Sequence, residues 1–333
     1  MVARVVIPDV EPLLVVVLGP TASGKTALSI RLAERFAGEI VSCDSVVVYR
    51  GMEIGTAKPS HEERAQVPHH MIDVYELNEH STAGDYARRA RKAIAEITSR
   101  GHLPIVTGGT GLYLRALLEG LFAGPQRSEE LRERLLQSNS RHGTGWLHRI
   151  LEILDAAAAE RIHAHDVSKL IRAIEVSLQA NRPMSEAWKE GREPLTGYRV
   201  LRIGLEPERQ ALYARINARA KRMFDAGLLN EMRTLIAKYG EGQRALDSLG
   251  YKQARAVLHS KMTYEAAITA VQQGHRNYAK RQQTWFRREP EVHWLKGFGD
   301  DTEIAAEAKE LIEQALGGSS RESGHGELTS KHG

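Results

Sequence analysis

Residues 19–26 read Gly-Pro-Thr-Ala-Ser-Gly-Lys-Thr, which matches G-x-x-x-x-G-K-[ST] at every required position and follows directly on the apolar run 13–18. The run reads as a buried parallel strand, and residues 27–37 put Leu28, Leu32 and Phe36 on one helical face, so the motif sits between a strand and a helix. In that setting successive backbone N–H groups form an anion cradle, backed by the positive end of the helix dipole. Gly19, Pro20, Thr21, Ala22, Ser23 and Gly24 build the cradle. Lys25 adds a point charge on the phosphates, and the Thr26 hydroxyl is a ligand for Mg²⁺. The expected ligand is a diphosphate held at a helix N-terminus.

The rest of the chain alternates in the same way. Residues 39–42 make a short strand leading into Asp44 and Ser45, which puts a carboxylate at the edge where open α/β sheets bind ligands. Residues 50–82, punctuated by Gly51, Gly55, Pro59 and Pro68, read as an irregular but ordered functional loop. A helix over 83–100, a strand over 103–106 and a helix over 112–121 follow. Strand signals then stop near Gly124, and residues 128–137, 145–154, 156–163 and 169–179 all read as helices. A strand over 198–205, a long amphipathic helical region over 208–238, a basic helix over 263–288, a strand over 292–295 and a helix over 302–316 complete the pattern. The expectation is an α/β fold, a parallel sheet flanked by helices with an inserted all-helical domain. The core would come in two parts, 13–123 and 198–316, around an insertion at 124–197, and 317–333, with few apolar residues to bury, is expected to be a disordered tail.

A chain of 333 residues with 42% hydrophobic content supports one or two globular domains. Net charge is only +4, yet residues 199–222 hold seven Lys/Arg against two acids and 275–288 hold five against none. That asymmetry suits a polyanionic partner larger than one nucleotide. Cys43 is the only cysteine, which rules out an internal disulfide and a cysteine-based metal cage and fits a reducing compartment. With no signal-peptide pattern and no membrane-length apolar stretch, the protein is expected to be cytoplasmic, without membrane or obligate protein partner, and monomeric. His69 and His70 are adjacent and lack further ligands, so a structural role in the 50–82 loop is expected of them.

A phosphate-binding loop alone favours an ATP-dependent kinase or NTPase. Here the strand at 103–106 ends in Thr107-Gly108-Gly109, where a magnesium-binding acid would be expected, although Asp44 could supply a carboxylate from another strand. The loop therefore leaves open a nucleoside or small-molecule kinase and a non-catalytic RNA-binding module.

Eight stretches in order narrow the choice: GPTASGKT at 19–26, SCDS at 42–45, Tyr49 with GMEIGTAKP at 51–59, PHHMID at 68–73, GGTGLYL at 108–114, RAIEV at 172–176, SLGYKQ at 248–253 and residues 277–285. From about residue 13 to 296 the chain resembles the tRNA dimethylallyltransferases. The resemblance implies a P-loop kinase-like fold with a helical insertion. It also implies transfer of the dimethylallyl group of dimethylallyl diphosphate to the exocyclic amine of the adenosine 3′ of the anticodon. By position, Asp44 matches the general base and Arg219 the diphosphate arginine, with Arg215 one turn earlier as the alternate; Thr21 shares the catalytic load. Thr110 is similar to a residue that contacts the target adenosine. Ser45, Val46, Val47, Arg132, Lys169 and Arg172, with Asp44, match or neighbour positions that touch the tRNA anticodon arm. Lys169 stands where that family often has arginine, giving a point charge in place of a bidentate fork.

Overall fold

The computed structural model describes residues 11–317 apart from 123, 126, 189 and 190. Among the described residues, six parallel strands make one sheet in the order β3-β2-β4-β1-β5-β6. They are β1 Leu13–Leu18, β2 Gly38–Cys43, β3 His69–His70, β4 Leu103–Gly108, β5 Arg199–Leu205 and β6 Val292–Leu295. β1 is buried along its whole length because neighbouring strands flank it and helices cover its faces, so it reads as an unbroken LLVVVL instead of alternating. On one face Leu13, Val15 and Val17 pack with Leu28 and Leu32 of helix α1 (Lys25–Arg35) and with Ile304 and Ile312 further along the chain. The parallel, helix-flanked sheet is the fold class that the strand and helix pattern predicts.

The chain divides into two compact units, one formed by residues up to Leu117 together with those from Leu195 on, the other by Leu118–Pro194. The second unit contains α5 Glu129–His142, α6 Trp146–Leu154, α7 Ala156–Ala159, α8 Val167–Ala180 and α9 Met184–Ala187 around its own core of Leu135, Leu147, Leu151, Leu170 and Ile174. The first unit also holds α2 His61–Gln66, α3 Ala83–Ser99, α4 Gly111–Leu118 up to its last residue, α10 Arg209–Asp225, α11 Leu228–Tyr239, α12 Tyr251–Leu258, α13 Tyr264–Phe286 and α14 Thr302–Gly317. The tail expected at 317–333 lies, beyond its first residue, outside the described residues.

Three local features differ from the sequence reading. The region 208–238 is two helices, because Gly227 takes φ +101°, a left-handed conformation that ends one helix and opens the next. Within 50–82 the structure has a helix, α2, opened by a full capping box between Ser60 and Glu63, and the short strand β3. Residues 251–258, for which sequence suggested no element, form α12 and bury Tyr251 and Ala254 against α11 and α13.

Candidate active site

Strand register sets Leu18 beside Gly108 and Gly108 beside Cys43, so the segments leaving β1, β4 and β2 start level at the carboxyl edge of the sheet. A cleft opens there within the first unit. Thr21, Lys25 and Thr26 line it from the phosphate loop, Asp44 from the end of β2, and Arg219 from α10.

The loop is held by its neighbours. Gly24 adopts φ +87°, and a Cβ on it would stand 2.6 Å from Asp300 Oδ1 and 2.7 Å from the Gly299 amide, so both conformation and space require glycine. The Gly299 amide donates to the Ser23 carbonyl at 2.9 Å, and the Thr21 amide donates to Gln282 Oε1 at 2.8 Å. Lys25 Nζ folds back onto the carbonyls of Gly19 (3.0 Å) and Pro20 (2.7 Å). Burial, reinforced by the positive charge of Arg219 and partly offset by Asp44, brings the Lys25 ammonium down to about 7. Arg219 is also lowered, by burial first, with Asp44 opposing. Its Nη2 donates to the Thr56 carbonyl at 3.2 Å, while its Nε is buried with no partner. Two cations share a poorly solvated site, an arrangement that a bound anion relieves. Arg215 is placed differently: its Nη1 bonds Asp300 Oδ1 at 2.6 Å, and its guanidinium lies over the Phe298 ring.

Asp44 is the one carboxylate among the described residues lining the cleft. Its Oδ1 accepts the amides of Val46 (2.8 Å) and Val47 (3.2 Å), a turn that anchors the carboxylate, while its Oδ2 makes no hydrogen bond among the described residues. Val47 is buried and lines the cleft; Ser45 and Val46 are half-buried beside it. The Ser45 amide donates to Thr110 Oγ1 at 3.1 Å, so the Thr110 hydroxyl ties the loop after β4 to the loop after β2. Gly108 lets these strands close, since a Cβ there would lie 2.1 Å from the Cys43 carbonyl oxygen.

Thr107, where a kinase would carry an acid, also lines the cleft, and its hydroxyl is buried without a partner. His70 Nε2 bonds Glu39 at 2.6 Å. His69 reaches the cleft wall with Nδ1 on the Val67 carbonyl and Nε2 unpartnered, and burial, the largest influence, lowers its pKa. No group of three His, Cys, Asp or Glu among the described residues is placed to hold a metal ion.

Sequence reasoning singled out no individual role for Gln282, Tyr278, Thr56 or Glu231. Glu231 of α11 accepts the amides of Glu53, Ile54 and Gly55 and the Tyr251 hydroxyl, and so holds the segment that presents Thr56 to Arg219. The quoted motifs at 51–59 and 248–253 contain these partners, but nothing in either one points to the other. A second, open groove in the same unit carries Arg209, Lys280, Arg287 and Lys296.

In the second unit Arg132 and Arg172 both pair at 2.8 Å with Glu175, which is fully buried. Lys169 pairs with Asp166 at the exposed start of α8.

The IPP transferase family profile matches residues 47–289. The chain is 64% identical over 302 residues to the tRNA dimethylallyltransferase of Koribacter versatilis, covering 91% of this chain and 98% of that one. Its fold is similar to the full-length tRNA isopentenylpyrophosphate transferase of Bacillus halodurans, with a TM-score of 0.70 and 36% identity over 95% of this chain and 100% of the other. It is also similar to a eukaryotic dimethylallyltransferase solved acting on tRNA, with a TM-score of 0.78 and 25% identity over 92% and 80% of the two chains. The profile spans most of the chain and the sequence identity extends almost end to end, and on these grounds the chain belongs to the IPP transferase family.

Proposed function

We propose that this protein transfers the dimethylallyl group of dimethylallyl diphosphate to the exocyclic amine of the adenosine 3′ of the anticodon in tRNA, releasing diphosphate. The observation that carries the reading is a single carboxylate, Asp44, sharing a cleft with two cations, Lys25 and Arg219, at a phosphate loop. The allylic carbon–oxygen bond breaks with its electron pair leaving on the diphosphate, and the adenine nitrogen forms the new bond to carbon. The loop amides, Lys25 and Arg219 stabilise the charge that builds on the leaving group. An exocyclic amine conjugated to its ring is a poor nucleophile, and Asp44 Oδ2 accepts its proton as the bond forms. Thr21 orients the diphosphate, and Thr110 meets the adenosine from the opposite loop.

The donors around the loop are hydroxyl and carboxylate oxygens, Thr26 and Asp44 among them, together with the unpartnered Thr107 hydroxyl, and this set suits Mg²⁺. Thr26 would hold the ion together with the diphosphate oxygens. When bound, it neutralises charge on the departing diphosphate.

The target base must leave its stack to reach an enclosed carboxylate. Ser45, Val46 and Val47 beside Asp44, and Arg132, Lys169 and Arg172 in the helical unit, are the proposed anticodon-arm contacts. Arg209, Lys280, Arg287 and Lys296 suit the stem phosphates. No described helix is long and apolar enough to cross a membrane, and we take the acting form to be a cytoplasmic single chain. The test is to incubate the protein with labelled dimethylallyl diphosphate, Mg²⁺ and unmodified tRNA and follow label into RNA. Micromolar ATP binding with phosphate release, and no response to the allylic donor even with tRNA present, would replace this reading with a kinase.

A further inference from the structure

Gln282 is 5% exposed on α13 and is the only described side chain that hydrogen-bonds both loops at the carboxyl edge of β1 and β4. Its Oε1 accepts the Thr21 amide at 2.8 Å, and its Nε2 donates to the Gly109 carbonyl at 2.9 Å. Both ends of the amide are thus in use, one on the phosphate loop and one on the residue before Thr110. Tyr278, one turn earlier on the same helix, adds a hydroxyl bond to the same Gly109 carbonyl at 3.3 Å. A Cβ on Gly109 would stand 2.1 Å from Gln282 Nε2, so any side chain there would displace the Gln282 amide from its place. Next along, Gly111 is equally crowded by the Trp285 indole, at 2.3 Å. One face of α13 therefore sets where the loop after β4 lies, and the Thr110 hydroxyl carries that placement on to Ser45, the neighbour of Asp44.

The geometry points to Gln282 as a positioning residue that fixes the spacing between the donor side of the cleft, at Thr21, and the acceptor side, at Thr110 and Asp44. It does not itself touch the reacting atoms. Its oxygen takes the Thr21 amide and the Pro20 carbonyl takes the Ser23 amide at 3.3 Å, so the amides of Ala22, Gly24, Lys25 and Thr26 remain for an anion, and diphosphate binding does not require Gln282 to move. Its loss should misplace the two substrates relative to each other while leaving the cradle intact, which lowers turnover and spares diphosphate affinity. Rigid alignment of this kind is valuable because small displacements between reacting groups are expensive in rate.

This inference rests on the prenyl-transfer reading, and the experiment separates the two. Gln282→Met keeps the bulk and removes both bonds. Gln282→Asn keeps the amide but is one methylene too short to span the loops. For each, kcat with saturating donor and tRNA is compared with the Kd of inorganic diphosphate in Mg²⁺ and with the melting temperature. The expected result is a fall in kcat of about 10- to 100-fold in both variants, with the diphosphate Kd within about threefold of the parent. Unchanged kcat in either folded variant would overturn the positioning role. A loss of diphosphate affinity matching the loss of kcat would also overturn it, since that is what a merely structural contact to the loop predicts. If one variant does not fold, the same split in the other decides. A parent protein that labels no tRNA removes the function and this role together, whereas an active parent with indifferent variants removes only this role.

Discussion

Lys25 sits at the junction of two opposing demands, charge for binding an anion and burial beside Arg219. With its free-state value near 7, the side chain is largely neutral at pH 8. A diphosphate beside it favours the ammonium, so binding takes up a proton, and affinity weakens as pH rises above 7 toward the higher value of the bound state. Titration of diphosphate at pH 8 in two buffers of different ionisation enthalpy measures that uptake. The component due to this group should vanish in Lys25→Arg, and an undiminished uptake there would reject the assignment. Asp44→Asn makes the complementary case: it preserves size and removes the proton acceptor. Turnover should fall roughly 10²- to 10⁴-fold while tRNA and diphosphate still bind. Near-normal turnover would remove the general base from the mechanism.

At the scale of elements, β2 shows how a charge can be kept inside a sheet. Glu39 is 3% exposed yet receives Arg100 at both oxygens, His70 on one and His102 on the other. Burial pushes its pKa up, but the hydrogen bonds from Arg100, His70 and His102 outweigh that and hold it at about 2. A folded-state value below the unfolded one stabilises the protein above the ordinary glutamate range. That contribution is lost as pH falls from about 4.5 toward 2. Glu39→Gln should therefore cost on the order of 2 kcal/mol at neutral pH and flatten the acid limb of a urea-denaturation series, because β2 no longer carries the proton-linked clamp. A variant whose acid limb matches the parent's would contradict this. The clamp joins β2 to β3 and to the segment entering β4, so it bears on the strand that leads into Asp44.

At the scale of the molecule, the two units have separate hydrophobic cores, and the helical one also buries the Glu175 cluster with Arg132 and Arg172. Separate cores predict separate opening. Leu151→Ala empties a fully buried position in the helical core and should cost that unit about 2–5 kcal/mol. Hydrogen exchange should accelerate in α6 and α8 while β1 and β4 keep their protection, and diphosphate affinity should not change. Uniform loss of protection across both units would show a single cooperative body.

Most of the strands and helices, the parallel sheet and the family were legible in the sequence, because each rests on short-range patterns: an eight-residue phosphate loop, unbroken apolar strands and motifs in register. Within the cleft, Thr21, Lys25 and Thr26 belong to one continuous segment, so local chemistry names them together. The break at Gly227, the helix α12 and the strand β3 were not legible, since a positive φ, a two-residue pairing and the burial of Tyr251 depend on what surrounds them. The resemblance ranked Arg219 ahead of Arg215, but that Arg219 lines the cleft while Arg215 turns to Asp300 depends on tertiary packing, since both lie on one helix with the same chemistry. Tertiary structure alone decided that Gln282 meets Thr21 across 261 residues of chain. Sequence spacing carries information about neighbours within a turn or a strand, whereas a contact between distant segments exists only once packing has brought their backbones together.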